Sequence, residues 1–238
     1  MLGRFLELAA ATEEIGETYA FFQTIGFQNV PTGDIVSYPY AVLDGGDICI
    51  GLHAESDIEP RLVFVRSDLE NYARALRRLK IDFDYSRLAS DEFNEIGFCD
   101  PDGQMVALLE AQTFSPGARP ETHHSVCGQF LEYSMVSSSL SRSVKFWEAL
   151  GFETVATGDS PHPWQRLFGF GLSLGLHESA HFEPGPSFSA TDLDARLEFL
   201  DAKGVDIKTR RRDTGAIEAL AKLVSPDGLP VYLFDADK

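Results

Sequence analysis

Phe146-Trp147-Glu148-Ala149-Leu150-Gly151-Phe152-Glu153 reads as the end of a helix turning into a strand: aromatic and apolar positions at helical spacing, then a glycine that stops the helix. Sliding the sequence back by 125 positions lays Gly151-Phe152 on Gly26-Phe27. The same shift lays Phe130-Leu131-Glu132 on Phe5-Leu6-Glu7, Thr157-Gly158-Asp159 on Thr32-Gly33-Asp34, and Pro226-Asp227-Gly228 on Pro101-Asp102-Gly103. Gly51-Leu52-His53 meets Gly175-Leu176-His177, and Asp68-Leu69 meets Asp192-Leu193, one position off that register. One register held over this much chain marks a duplicated unit. Between the copies the stretch 113–128 is rich in Pro, Gly and polar residues and lacks periodicity, so it reads as a linker between domains at 4–112 and 129–236.

The order of elements recurs inside each copy. Phe5 to Ala11 reads as a short strand. Thr12 then opens a helix with Ile15, Tyr19, Phe22 and Ile25 on one face, and Ser139 opens its counterpart with Leu140, Val144, Trp147 and Leu150. Phe21, Phe22, Phe146 and Trp147 are read as core residues of these helices. Strands follow at 36–43 and 47–53, then at 61–66. Ser67-Asp68-Leu69-Glu70 reads as a capping box before the stripe Leu69, Tyr72, Leu76, Leu79, and Thr191-Asp192-Leu193-Asp194 as its equivalent before Leu193, Leu197 and Leu200. Three short strands follow each helix, the last introduced by Asp100-Pro101-Asp102-Gly103 or Ser225-Pro226-Asp227-Gly228, whose Pro and Gly placement suits a type I turn. The repeating element is βαβββ, four times over, which predicts an α+β fold.

Composition narrows the partners. The 238 residues are 44% hydrophobic and 24% charged, which is ordinary for a globular chain. A formal charge of −17 with a pI near 4.6 opposes nucleic acid and anionic membrane surfaces, which need clustered Lys and Arg. Glu7, Glu13 and Glu14 break the apolar start in a way that does not suit a secretory signal, and no stretch approaches the roughly 18 apolar residues of a membrane span. Cys49, Cys99 and Cys127 form no C-x-x-C pattern. The expectation is a soluble, cytoplasmic, reduced protein, a monomer or homodimer. Lys208-Thr209-Arg210-Arg211-Arg212, the only positive cluster, reads as a solvated loop or a charge-balancing contact. No G-x-S-x-G, P-loop, G-x-G-x-x-G or H-E-x-x-H is present.

Paired βαβββ units, a helix ending in Phe-Trp-Glu-Ala-Leu-Gly-Phe-Glu153 and a last strand preceded by Asp-Pro-Asp-Gly together resemble the vicinal oxygen chelate superfamily of glyoxalases, bleomycin-resistance proteins and extradiol dioxygenases. The resemblance covers nearly the whole chain outside the linker. It implies two tandem glyoxalase-like domains, each a cupped eight-stranded mixed sheet with flanking helices and a ligand or metal inside the cup. It does not choose an activity, since the superfamily holds isomerases, dioxygenases, thiol transferases and drug-sequestering proteins. Metal-dependent members carry ligands on the first and fourth strands of each unit and a Glu after the Asp-Pro-Asp-Gly turn. Carried over, those positions are Glu7, Gly51, Arg61 and Ala107 in the first copy and Glu132, Gly175, Gly185 and Tyr232 in the second. One carboxylate per copy falls short of the three ligands a divalent metal wants, and Arg61 puts a positive charge where the cation would sit. The implied reading is a dismantled metal site with no cofactor.

Glu7 and Glu132 stand in apolar strands, where an ionised carboxylate needs a partner. A Glu7–Arg61 ion pair answers for the first copy, either as part of a ligand site or as a brace for the sheet. Glu132, with Tyr232 facing it, is placed to meet a hydroxylated or basic ligand or to act as a general base. His53 and His177 lie one pleat period beyond the usual ligand position, so Glu132 with His177 is the alternative metal pair, the bland reading being strand-terminal histidines. His162-Pro163-Trp164 with Arg166 reads either as a lid or as a hairpin loop. His123 and His124 are read as solvated linker residues. The functional expectation is a protein with a degenerate metal site holding a small, partly aromatic molecule. The alternatives are a metal-dependent lyase, isomerase or dioxygenase, or a non-catalytic structural or regulatory module whose cups are filled by their own side chains.

Overall fold

The computed structural model describes residues 2–31, 38–55, 60–89, 94–111, 125–179, 183–210 and 220–236. The first copy runs β1 (Arg4–Ala11), α1 (Ile15–Thr24), β2 (Gln28–Val30), β3 (Tyr40–Asp44), β4 (Cys49–His53), β5 (Arg61–Arg66), α2 (Leu69–Arg78), β6 (Tyr85–Arg87), β7 (Glu95–Cys99) and β8 (Met105–Glu110). The second repeats it as β9 (Gln129–Val136), α3 (Leu140–Leu150), β10 (Glu153–Gly158), β11 (Trp164–Gly169), β12 (Leu172–His177), β13 (Gly185–Ala190), α4 (Leu193–Ala202), β14 (Lys208–Arg210), β15 (Leu220–Val224) and β16 (Pro230–Asp235). Each copy supplies one eight-stranded sheet, ordered β2-β3-β4-β1-β5-β8-β7-β6 and β10-β11-β12-β9-β13-β16-β15-β14, the same order element for element. Both sheets are mixed, with β5–β8 and β13–β16 parallel. The α+β reading with four βαβββ units holds. The Thr32-Gly33-Asp34 match, residues 113–124 with His123 and His124, and Arg211 and Arg212 lie outside the described residues.

The chain forms two compact units, and neither is one copy. One takes β1 as far as Ala9, β5–β8 with α2, and α3 with β10–β12. Its centre is a cluster of rings: Phe152 meets Trp147 at 5.3 Å and Phe64 at 6.4 Å between centroids, edge to face. The other takes α1 with β2–β4, β9 as far as Ser134, and β13–β16 with α4, around Phe22, Phe27 and Phe188. Phe22 and Trp147 are fully buried, as the helical spacing requires.

The Pro-Asp-Gly turns explain why the units mix the copies. In the first, the Gly103 amide donates to the Asp100 carbonyl and Gly103 takes φ +96, closing the turn. The Asp102 carboxylate then reaches the start of α3: Oδ1 accepts from the Ser138 amide at 3.0 Å and its hydroxyl at 2.5 Å, and Oδ2 accepts from the Ser143 hydroxyl at 2.5 Å. Asp227 does the same for α1, its Oδ1 accepting from the Glu13 amide at 3.3 Å and its Oδ2 from the Thr18 hydroxyl. Each turn thus holds the leading helix of the opposite copy, through the amide of a residue just before it and a hydroxyl early within it.

A second pair of positions has changed in concert. The Trp147 indole N–H donates to Asp100 Oδ2 at 3.3 Å, while the equivalent residues Phe22 and Ser225 have no such donor to satisfy. Asp100 Oδ1 accepts the Gln104 amide, and Ser225 Oγ accepts the Leu229 amide in the same place. Burial pushes the Asp100 carboxyl above the usual range, against the pull of the amides of Gln104 and Asp102.

Helix ends follow the sequence on one side only. Gly26 and Gly151 take φ +94 and +104, and Phe27 and Phe152 donate back to Phe22 and Trp147, which closes α1 and α3 as read. The capping boxes do not form. Asp68, at the start of α2, is left-handed at φ +64 with no side-chain cap, and the Leu69 amide donates instead to Glu110 Oε1 at 2.9 Å. Glu70 pairs with Arg74, and Asp192 with Arg196. Leu79, read as core, is about half exposed.

Burial raises the Asp102 carboxyl, but hydrogen bonds from Ser138 and Ser143 with the charge of Arg142 outweigh it and hold it below the usual range. A carboxylate lowered in the folded state contributes stability above its unfolded value, and that contribution disappears as pH falls through the folded one. Asp102→Ala is therefore expected to cost about 1–2 kcal/mol at pH 7, the gap to wild type closing below about pH 4, by denaturant titration across pH. Asp100→Ser and Trp147→Phe are each expected to destabilise. The double variant, which copies the Ser225–Phe22 pair, should cost less than their sum by about 0.5–3 kcal/mol, and strict additivity would show that the two positions are uncoupled.

Candidate functional site

The register across adjacent strands lines up one residue per strand on a common face. In the second copy Glu132 on β9 stands opposite Ser187 on β13, Ser187 opposite Tyr232 on β16, and Tyr232 opposite Lys222 on β15. Glu132, Ser187 and Tyr232 are at most 1% exposed. The Ser134 hydroxyl donates to Glu132 Oε1 at 3.0 Å and lies 2.7 Å from the Ser187 hydroxyl, so the buried carboxylate carries a hydroxyl network beside it. The Tyr232 hydroxyl donates to the Glu183 carbonyl at 3.1 Å and accepts its amide at 2.9 Å, and Lys222 pairs with the Glu183 carboxylate. Burial pushes the Tyr232 phenol up to about 12. The row ends in a carboxylate on one side and an ammonium on the other.

The corresponding row of the first copy is Glu7, Val63, Ala107, Gly97 and Tyr85. Only the glutamate is shared. Ala9, Val63 and Ala107 form an apolar cluster with Leu6 and Leu109 against it. The Tyr85 ring lies over Gly97, where a Cβ would overlap its Cε1 and Cζ. The Tyr85 hydroxyl donates to Glu95 Oε1 at 2.7 Å and accepts from Arg61 Nη1 at 3.1 Å, and Arg61 and Glu95 also pair at 3.7 Å. Burial and the bond to Glu95 raise the Tyr85 phenol above its usual range, against Arg61.

These registers correct the strand positions read from sequence. Val63, not Arg61, stands opposite Glu7, and Ser187, not Gly185, opposite Glu132. A bulged residue in each first strand, Leu6 and Leu131, shifts the pairing. The Arg61 guanidinium, expected on Glu7, lies on Tyr85 and Glu95. Tyr232 shares the row with Glu132 but with Ser187 between them.

His177 sits on β12 in the other compact unit, 6% exposed, its Nδ1 3.0 Å from His162 Nε2. Trp164 and Arg166 belong to β11, paired with His177 and Gly175, so they are sheet residues and not a lid. The Arg166 guanidinium lies 5.6 Å from the Trp164 ring, which packs over Gly158. The first copy repeats the arrangement with Tyr38, whose hydroxyl lies 3.0 Å from His53 Nδ1, and with Tyr40 against the same imidazole. Ser134, Ser187, Lys222, Tyr85 and Glu95 were missed in the sequence. The one visible signal for Ser187 was the alternation Ser187-Phe188-Ser189 in an otherwise buried strand.

No family model matches the chain, and no curated protein matches its sequence. Solved structures do match. The 2,3-dioxygenase LapB from Pseudomonas sp. KL28 superposes with a TM-score of 0.64 at 14% identity, over 98% of this chain and 92% of that one. A Mn(II)-bound glyoxalase from Novosphingobium aromaticivorans gives 0.63 at 16% identity, over 98% and 81%. A catechol 2,3-dioxygenase gives 0.58 at 14% identity, over 98% and 87%. The fold is the vicinal oxygen chelate fold.

These neighbours overturn the expectation that no cofactor is involved, because a Mn(II)-bound protein stands among them with several dioxygenases. The residues in hand nevertheless do not fit a metal: the second-copy row offers one carboxylate, and among the described residues no group of three His, Cys, Asp or Glu side chains could hold an ion. No helix among the described residues is long and apolar enough to cross a membrane.

With its phenol pushed up to about 12, Tyr232 is expected to remain neutral well beyond pH 10. In an ultraviolet pH titration of the folded protein, Tyr232→Phe should remove a late-titrating phenol and leave the amplitude near pH 10 unchanged.

Proposed function

We propose that the chain takes a small, hydroxylated aromatic molecule at the face of β9, β13 and β16 in the second copy, with Glu132 as acceptor for a ligand hydroxyl. The observation that carries this reading is the buried Glu132 carboxylate, in register with the Ser187 and Tyr232 hydroxyls and braced by Ser134. A carboxylate in this setting accepts a ligand hydroxyl in preference to an apolar group. Support for the aromatic class comes from the neighbours of the same fold, which include a catechol 2,3-dioxygenase and a homoprotocatechuate 2,3-dioxygenase. In the first copy the next two residues of the glutamate's row are Val63 and Ala107 and offer no hydroxyl there, which favours the second copy as the ligand-binding one.

A second reading, a metal-dependent dioxygenase or lyase, is favoured by the dioxygenases and the Mn(II)-bound glyoxalase among the neighbours. Among the described residues the row supplies one carboxylate, too few ligands to hold a metal.

One titration series separates the two. Catechol is expected to bind the wild-type chain and to bind Glu132→Gln about tenfold or more weakly, read by calorimetry, while elemental analysis after loading with Mn(II) or ferrous iron follows metal content. Equal catechol affinity in both proteins would sink the first reading. Stoichiometric metal lost in Glu132→Ala would establish the second.

A further inference from the structure

Tyr85 is held in a way that a core tyrosine does not need. Its hydroxyl both donates, to Glu95, and accepts, from Arg61, which uses both roles a phenol oxygen has. Arg61 and Glu95 come from β5 and β7, two residue pairs to either side of the Gly97 row and so on the same face, and they grip the oxygen from two sides. Gly97 supplies a flat floor, since any side chain there would strike the ring. The three together make a slot with one donor, one acceptor and a planar bed. Arg61 and Glu95 are each less than a fifth exposed, and Glu95 is also within 3.9 Å of Arg87, so the acceptor stands beside two guanidinium groups.

In the second copy Lys208 stands where the first has Tyr85. Lys222 stands where the first copy has Gly97. The ring in that row belongs to Tyr232 on β16, with its hydroxyl on the backbone of Glu183. The two copies therefore differ in whether a side chain lies along the sheet face between a donor and an acceptor.

We infer that Arg61, Glu95 and Gly97 form a phenol-binding site in the first copy which the chain fills with its own Tyr85, so that this copy is closed to outside phenols. The ligand class is a simple phenol with an unhindered hydroxyl able to accept from a guanidinium and donate to a carboxylate. The inference goes beyond the proposed function and rests on it only in treating the Glu7 row as the counterpart of the Glu132 row.

Removing the tyrosine side chain beyond Cβ empties the slot, so full-length Tyr85→Ala titrated with 4-methylphenol is the test. Tyr85→Thr, which favours a strand at this edge, serves if Tyr85→Ala does not fold. The variant is expected to bind one more equivalent of 4-methylphenol than wild type, and toluene at least about tenfold more weakly, because Arg61 and Glu95 would stay unbridged. Arg61→Leu or Glu95→Ala in the same background should abolish the added equivalent. Equal stoichiometry in variant and wild type would overturn the inference, as would an added site that takes toluene as well as the phenol. Because the count is a difference, failure of the second-copy reading shows separately as zero equivalents in wild type.

Discussion

An aspartate in a four-residue turn, holding the amide just before a helix and a hydroxyl early within it in the opposite copy, is the constraint on which the rest of this molecule depends. Asp102 and Asp227 stand at equivalent places and grip equivalent groups: Ser138 and Ser143 in one case, Glu13 and Thr18 in the other. Proline fixes the turn, glycine with positive φ lets the chain leave it, and the aspartate between them points its carboxylate at the helix start. The Pro-Asp-Gly triplet is present in both copies, although few residues around it match.

Freed from that framework, the sheet faces have diverged in chemistry. The first copy has an apolar row closed by a phenol, with its charge gathered into the Arg61–Glu95 pair. The second has a carboxylate, two hydroxyls and an ammonium in line. Both retain a glutamate in the first strand, almost fully buried. In the second, the Ser134 hydroxyl joins that carboxylate to Ser187 of the same row, which makes it part of a hydroxyl network.

The sequence revealed the fold because a duplication announces itself: matched glycines and turns at one offset need no knowledge of packing. Gly26 and Gly151 could be read as helix stops because positive φ is a local demand that glycine meets best. The helix starts could not be read as readily. The acceptor for the Leu69 amide is Glu110, from a strand far along the chain, and nothing near Ser67 signals it. The site was legible to the extent of its glutamates and Tyr232. Val63 and Ser187 were hidden in part because the pairing of each first strand passes through a bulged residue, Leu6 or Leu131, which leaves no mark in hydrophobic periodicity. Tyr85 was invisible for a related reason: its partners Arg61 and Glu95 lie on β5 and β7, which come near one another only once β8 is placed between them.

The mixed make-up of the compact units has a consequence for heredity. Each unit draws strands and a helix from both copies, so a recombination event that deleted either half of the coding sequence would leave two incomplete remnants and no intact ancestor. Once fused in this way, the repeat cannot revert to a single unit by loss. Its two faces are free to drift toward different ligands only as long as the helices and turns that bind the copies together stay as they are.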